Sequence, residues 1–308
     1  MSATRTQRRH RPLIVVNRKP NSGIGCSSKT PTYILRTAHG FNSVHGRMPS
    51  IATGANAANR ELHYIGISGD GDSLSIGLGQ LCHAIRRNVN MLYVIENNGV
   101  YGLTKGQFSA SADVGSAAKK GDVNQLQPID PVVTAIDIGG SFVARGFSGD
   151  KRNLVPLIKA GIMHRGFALL DVISPCVTFN DHDGSTKSYL HTREFEQTAV
   201  YADFVPIRDE ITASVDPHVT SVTLHDGSQI HLRTVDPDYD PFDRDSVVSY
   251  IHEHQNKGQI VTGLLFVDET APDMLTLSGT TETPLVDLSF DTLNPGAAAL
   301  KTLQKQWR

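Results

Sequence analysis

Apolar residues along this chain fall into short β-branched runs separated by stretches with helical spacing, a pattern that predicts strands and helices in alternation. The first clear run is Leu62 to Ser68. It turns through Gly69-Asp70-Gly71 and continues with Leu74, Leu78, Leu81, Ala84 and Ile85 on one helical stripe, ahead of a second buried-strand run from Met91 to Ile95. Strand, helix and strand of these lengths make one right-handed βαβ unit, whose parallel strands end on the same sheet edge. Asp70 therefore comes to lie beside Asn98. Val132 to Ile138, Phe142 to Arg145 and Phe167 to Ile173 are further apolar runs expected to extend the parallel sheet, with a helix between Asn153 and His164. Pro49 to Ala58 reads as a short helix of small residues. Gly99 to Gln107 is too glycine-rich for regular structure, and Ser109 to Leu126 reads as a polar surface loop. Farther on, Val219 to Val235 alternates around Asp226-Gly227 as a hairpin does; Asp243 to His254 has helical spacing, Gln259 to Val267 is a buried strand, and Asn294-Pro295 opens a last helix. The expected class is α/β, a mostly parallel sheet flanked by helices with a hairpin-and-helix extension. Its expected division is a disordered or truncated stretch over 1–21, a main domain over 22–200 and an extension over 201–308 serving packing and subunit contact.

Ligands of open α/β sheets bind outside the carboxyl ends of the strands, where this topology puts Asp70 and Asn98. A carboxylate and an amide oxygen are hard ligands suited to Mg²⁺, which shares its other positions with phosphate oxygens and water. Gly69 and Gly71 let the backbone approach an anion, and the following helix offers its first N–H groups. The expected ligand is a metal-bound diphosphate. Composition narrows the alternatives: with 308 residues, 39% of them hydrophobic, the chain can bury a substantial core, while a formal charge of −2 and a pI near 6.7 give no electrostatic reason to expect nucleic acid or a membrane surface. No apolar run is long enough to cross a bilayer and no secretory leader is evident, so the cytoplasm is the default compartment. Three cysteines are too few for a disulfide framework and suggest reduced thiols or metal ligands. Cys82 reads as a buried core thiol, Arg86-Arg87 as cations complementing a helix C-terminus, and Asn180-Asp181-His182-Asp183 as an ordinary loop.

Gly69-Asp70-Gly71 followed by Asn97-Asn98 resembles the signature by which thiamine diphosphate enzymes hold Mg²⁺ and the cofactor's diphosphate. Around it, in order, stand Gly23-Ile24-Gly25-Cys26-Ser27-Ser28-Lys29, His45-Gly46-Arg47, Arg86-Arg87-Asn88, Tyr101-Gly102-Leu103-Thr104-Lys105-Gly106-Gln107 and Ser174-Pro175-Cys176-Val177-Thr178-Phe179-Asn180. Together they resemble the β subunit of 2-oxoacid:ferredoxin oxidoreductases, and among these the 2-oxoglutarate type, from Ser22 onward. The resemblance implies a thiamine diphosphate-binding fold in which Asp70, Asn98 and the carbonyl of Val100 hold Mg²⁺. It places Ile24, Gly25, Cys26, Ser27, His45, Gly69, Gly71, Asp72, Gly102 and Leu103 against the cofactor. Lys29 is implied to meet a substrate carboxylate or coenzyme A, and Lys29, His45 and Leu103 to take part in catalysis. The implied reaction is oxidative decarboxylation of a 2-oxoacid, with coenzyme A taking the acyl group and ferredoxin the electrons. It needs an α subunit, which in the related enzymes contributes the glutamate that activates the thiamine ring.

One part of the pattern is missing. The family carries a [4Fe–4S] cluster, which takes four thiolates. Cys26 and Cys176 match two of these ligands, Cys82 matches none, and the family's Cys-Pro-Gly-Cys motif is absent. Residues 1–20 instead hold six Arg or Lys and no acid. The expectation is a truncated or frame-shifted start. The alternatives are a non-redox thiamine diphosphate decarboxylase subunit and a cluster-less assembly subunit.

Overall fold

The computed structural model describes residues 13–16, 26–34, 39–118, 121–206 and 219–307. Its strands, in chain order, are β1 (Leu13–Val16), β2 (His39–Asn42), β3 (Tyr64–Gly69), β4 (Met91–Asn97), β5 (Val100–Tyr101), β6 (Gln107–Phe108), β7 (Phe142–Phe147), β8 (Phe167–Ile173), β9 (Glu196–Val205), β10 (Val219–Thr223), β11 (Gln229–Thr234) and β12 (Ile260–Val267). All but β5 and β6 join one sheet in the order β10-β11-β9-β12-β7-β8-β4-β3-β1-β2. From β7 to β2 every pairing is parallel, and β3, β4, β7 and β8 are buried along nearly their whole length. Burial on both faces is why these strands read as unbroken apolar runs. Helices Met48–Ala58, Leu78–Arg86, Pro131–Asp137, Lys151–Met163 and Arg244–Asn256 cover the faces. Tyr93, Phe142, Phe167, Leu81, Ile85 and Leu157 fill the core between them.

The α/β class, the central βαβ unit and the Asp226-Gly227 hairpin stand as expected. Four local expectations do not. Val132 to Ile138 is helical: Asp130 caps the stretch by accepting from the amides of Val132 and Val133 at 2.8 and 3.3 Å, Pro131 occupies the first turn, and Val132, Ala135 and Ile136 point inward at helical spacing. Gly99 to Gln107 carries a small hairpin, with Val100 opposite Phe108 and Tyr101 opposite Gln107. Cys82 is half-buried rather than enclosed, and burial pushes its thiol up. Within the N-terminal stretch expected to be disordered, Leu13–Val16 pairs in parallel with both β2 and β3. The strands of the last third join the same sheet, and β12 lies between β9 and β7.

Arg86-Arg87-Asn88 has a larger structural role than complementing a helix dipole. Asn88 ends the helix in the left-handed region (φ 51°), and its side chain ties three segments together. Its Oδ1 accepts from the Ser141 hydroxyl at 2.8 Å and the Phe167 amide at 2.7 Å, while its Nδ2 donates to the carbonyls of Ala271 and Pro272. The βαβ unit is thereby fastened to β8 and to the segment that follows β12.

Candidate cofactor site

At the carboxyl ends of β3 and β4 the chain leaves the sheet twice in quick succession, through Asp70 and through Asn98, and a cavity of about 410 Å³ opens between the two exits. Ser27, His45, Gly69, Asp70, Gly71, Asp72, Glu96, Asn98, Val100, Tyr101, Gly102 and Leu103 line it, with Ile76, Thr104 and Gln107 at the margin. The volume is that of a ligand site for a molecule of cofactor size.

Asp70 is 1% exposed. Its Oδ2 accepts from the Gly99 amide at 3.0 Å, the Ser111 hydroxyl at 2.6 Å and the Ser109 hydroxyl, all on that one oxygen. Burial pushes this carboxyl up, and the three hydrogen bonds only partly oppose it. No ion pair joins it to a basic side chain among the described residues. A buried carboxylate in this position lowers its energy by meeting a cation. Asn98 supplies an amide oxygen, which accepts from the Val100 amide at 3.1 Å. Asp70, Asn98 and Val100 line the same cavity, and a carboxylate, an amide oxygen and a backbone carbonyl are donors of the kind that could hold Mg²⁺.

The other walls are built by backbone fit. After Asp70 the chain winds into a π-helical segment, Gly71–Ile76, a wide coil often found at functional sites. Tyr101 lays its ring on Gly71, donating its hydroxyl to the Gly71 carbonyl at 3.1 Å. A β-carbon on residue 71 would fall 2.4 Å from that ring. Gly71→Ala should therefore displace Tyr101 and weaken binding of the thiamine diphosphate that the resemblance implies at least tenfold, about 1.4 kcal/mol; binding at the wild-type value in titration calorimetry would remove the close-fit argument. Asp72 is a brace: its Oδ1 accepts from the Gly46 amide at 2.9 Å and its Oδ2 from the Ser68 hydroxyl at 2.7 Å, fixing the loop that carries His45.

Of the residues singled out in the sequence, Ser27, His45, Gly69, Asp70, Gly71, Asp72, Asn98, Val100, Gly102 and Leu103 converge on this cavity. Lys29 is exposed at the end of the turn Cys26–Lys29 and does not line it. Ile24 and Gly25 lie outside the described residues, as does the side chain of Cys26. Cys176 is half-buried in the turn after β8 and is not part of the lining. Glu96 and Ile76 are pocket residues that the sequence did not reveal; of the two, Glu96 carries a charge. Burial pushes its carboxyl up, and Thr30 donates to it at 2.6 Å. Ser109 and Ser111 were equally hidden, since the polar stretch expected to run over the surface turns inward to bond Asp70.

From Asp70 a buried polar chain crosses the sheet edge. Ser111 Oγ also lies 2.9 Å from Asn97 Oδ1, sharing its one proton between that oxygen and Asp70; Asn97 donates to Asp171 at 3.0 Å, and Arg145 spans Asp171 and Asp130 at 2.8 and 2.5 Å. The far part of this chain forms the floor of a second cavity, about 780 Å³.

Residues 23–172 match the C-terminal TPP binding domain of thiamine pyrophosphate enzymes, and this stretch contains the cavity and its metal-suited oxygens. The central region is thus similar to that domain. The chain is also similar to β subunits of 2-oxoacid:ferredoxin oxidoreductases. It is 43% identical over 183 residues to the 2-oxoacid:ferredoxin oxidoreductase subunit beta of Saccharolobus solfataricus, covering 58% of this chain and 57% of that one. It is 36% identical over 219 residues to the 2-oxoglutarate oxidoreductase subunit KorB of Mycobacterium tuberculosis, covering 67% and 58%. A solved 2-oxoglutarate:ferredoxin oxidoreductase from Magnetococcus marinus, with 2-oxoglutarate, coenzyme A and succinyl-CoA bound, superposes with a TM-score of 0.67 at 27% identity, covering 87% of this chain and 75% of that chain. The matched region thus spans 57% and 58% of the lengths of these two curated relatives.

Proposed function

We propose that this chain is the thiamine diphosphate-binding β subunit of a 2-oxoacid:ferredoxin oxidoreductase, with 2-oxoglutarate as the favoured substrate. The observation that carries the proposal is the side-by-side placement of Asp70 and Asn98 in one cavity inside the matched domain. Asp70, Asn98 and the Val100 carbonyl would hold Mg²⁺, and the backbone at Gly69 and Gly71 would receive the diphosphate. Ser27, His45, Gly102 and Leu103 would enclose the rest of the cofactor. When bound, the cofactor supplies the electron sink that lets a 2-oxoacid lose CO₂. The protein's own part is to fix that sink and keep water from it: Tyr101 on Gly71 and the hairpin Val100–Phe108 close one side, and Asp72 holds the His45 loop on another. An α subunit completes the site, coenzyme A accepts the acyl group and ferredoxin the electrons. The solved neighbour, with 2-oxoglutarate and coenzyme A bound, supports the choice of substrate and acyl acceptor.

A second reading turns on the cysteines at the redox step. Cys26 and Cys176 match cluster positions, yet a four-thiolate cluster needs ligands beyond them and Cys82 lies elsewhere, on the helix Leu78–Arg86. A non-redox decarboxylase subunit would keep the cofactor and lack the iron.

Calorimetry on the purified α/β pair tests the first reading. Thiamine diphosphate should bind with saturation only when Mg²⁺ is present, and EDTA should release it; no uptake under any condition would leave only an assembly role. Iron content and the visible spectrum after anaerobic purification then separate the oxidoreductase from the decarboxylase.

A further inference from the structure

Behind the proposed metal loop stands Asn180, the last residue of the Ser174–Asn180 stretch that carries the family resemblance. Asn180 is 1% exposed, and its Nδ2 donates to the backbone carbonyl of Asn98 at 2.7 Å. This bond holds the peptide between Asn98 and Gly99, from which the hairpin Val100–Phe108 departs. Gly99 adopts φ +75°, and a β-carbon there would meet the Asn180 amide nitrogen at 3.1 Å. The same peptide presents two groups to the site: the Asn98 side chain on one side, and on the other the Gly99 amide that donates to Asp70. Holding the Asn98 carbonyl in one orientation thus sets the direction of both.

Asn180 is itself held from behind. Its amide donates to the Cys176 carbonyl at 2.8 Å, its carbonyl accepts from the Ser185 hydroxyl at 3.1 Å, and its neighbour Phe179 packs against Gly106 at the base of the loop carrying Leu103. The turn Cys176–Asn180 therefore touches the cofactor loop at two points, one polar and one apolar. An amide buried this deeply loses much of its hydration, and only its Nδ2 has a partner in the structure; Oδ1 has none. An apolar residue of similar size would fill the space without leaving that oxygen unpaired, so packing alone does not account for an asparagine here.

We infer that Asn180 is a positioning residue for the metal site: its side-chain amide holds the Asn98–Gly99 peptide in the orientation that directs the Asn98 oxygen and the Gly99 amide to the cation and its carboxylate. The inference rests on the assignment of Asp70 and Asn98 to Mg²⁺ and adds the group that aims them. Residues that orient metal ligands typically change metal affinity by about 10- to 100-fold when replaced.

Mn²⁺ replaces Mg²⁺ as the probe, titrated into the α/β complex with thiamine diphosphate present and followed by electron paramagnetic resonance of the free ion. Asn180→Asp keeps the size and branching of the side chain but puts an acceptor against the Asn98 carbonyl; it should weaken Mn²⁺ binding by about 10- to 100-fold. Asn180→Ala removes the donor without the repulsion and should fall between Asn180→Asp and wild type. If Asn180→Ala does not fold, Asn180→Asp carries the test, with circular dichroism confirming its fold. Should both variants fail to fold, or bind Mn²⁺ as tightly as wild type, the residue is purely structural and the inference is overturned. Wild-type complex that takes up neither Mn²⁺ nor thiamine diphosphate would instead overturn the cofactor assignment on which it rests.

Discussion

Asp70→Ala is expected to abolish Mg²⁺-dependent retention of thiamine diphosphate. Its carboxylate is the charged oxygen in the proposed metal shell, and removing it leaves a neutral amide and a backbone carbonyl to hold a strongly hydrated dication. Apparent affinity should fall by at least about a hundredfold, equivalent to about 2.7 kcal/mol. Dialysis followed by measurement of bound cofactor reads this directly. Ser109, Ser111 and the Gly99 amide lose a buried acceptor, so a modest loss of stability should accompany the variant, and circular dichroism should show that it remains folded. Asp70→Asn discriminates further: it keeps the shape and one acceptor oxygen, so it should restore the Gly99 contact without restoring the metal. Full cofactor retention in either variant would show that the cavity holds its ligand by other means.

Arg145→Ala is the second large effect, and it acts first on stability. Arg145 is 5% exposed and joins two carboxylates that have no other cation beside them among the described residues. Breaking a buried pair from one side strands the opposite charge, at a cost of about 3–5 kcal/mol. Urea unfolding should report a loss of that size, and cofactor affinity should fall too, because Asp171 anchors Asn97 and, through Ser111, the Asp70 carboxylate. The pH dependence has a definite sign. Burial pushes the Asp130 carboxyl up, but the Arg145 charge and the amides of Val132 and Val133 outweigh it and hold the group below the usual carboxylate range. A carboxyl with a lowered folded-state value contributes stability above its unfolded value, about 4, and that contribution is lost as the pH falls through the lower folded value. Wild-type protein should therefore lose stability from this source below about pH 4, whereas Arg145→Ala should be deficient already at neutral pH. A variant as stable as wild type at pH 7 would mean that Asp130 and Asp171 have found another partner.

The parts of the fold that could be read from the chain are those where one physical requirement dominates. Buried strands must be apolar on both sides, so β3, β4 and β8 announced themselves, and topology then brought Asp70 to Asn98. Where two requirements compete, the pattern misleads. Val132 and Val133 favour a strand, but Asp130 and Pro131 start a helix, and the capping bonds together with the inward stripe of Val132, Ala135 and Ile136 decide the outcome. Ser109 and Ser111 looked like surface because hydroxyls carry no periodic signal; only the three-dimensional return of the loop shows them bonding a buried carboxylate. Glu96 was invisible because a single acid near the end of an apolar run reads as the point where a strand meets water. Asn88 and Asn180 stood in motifs of the resemblance, but what they bond to did not show. Each works through backbone groups far away in sequence, and those partners leave no mark on the residues beside them.

Because β12 lies between β9 and β7, the sheet cannot close until residues near position 267 have been synthesised. A nascent chain that has completed β9 has an open slot beside β7, with backbone groups on both flanks ready to accept a foreign strand. A chain cut short before β12 is therefore expected to associate through the uncovered β7 edge, which light scattering of such a truncation would read.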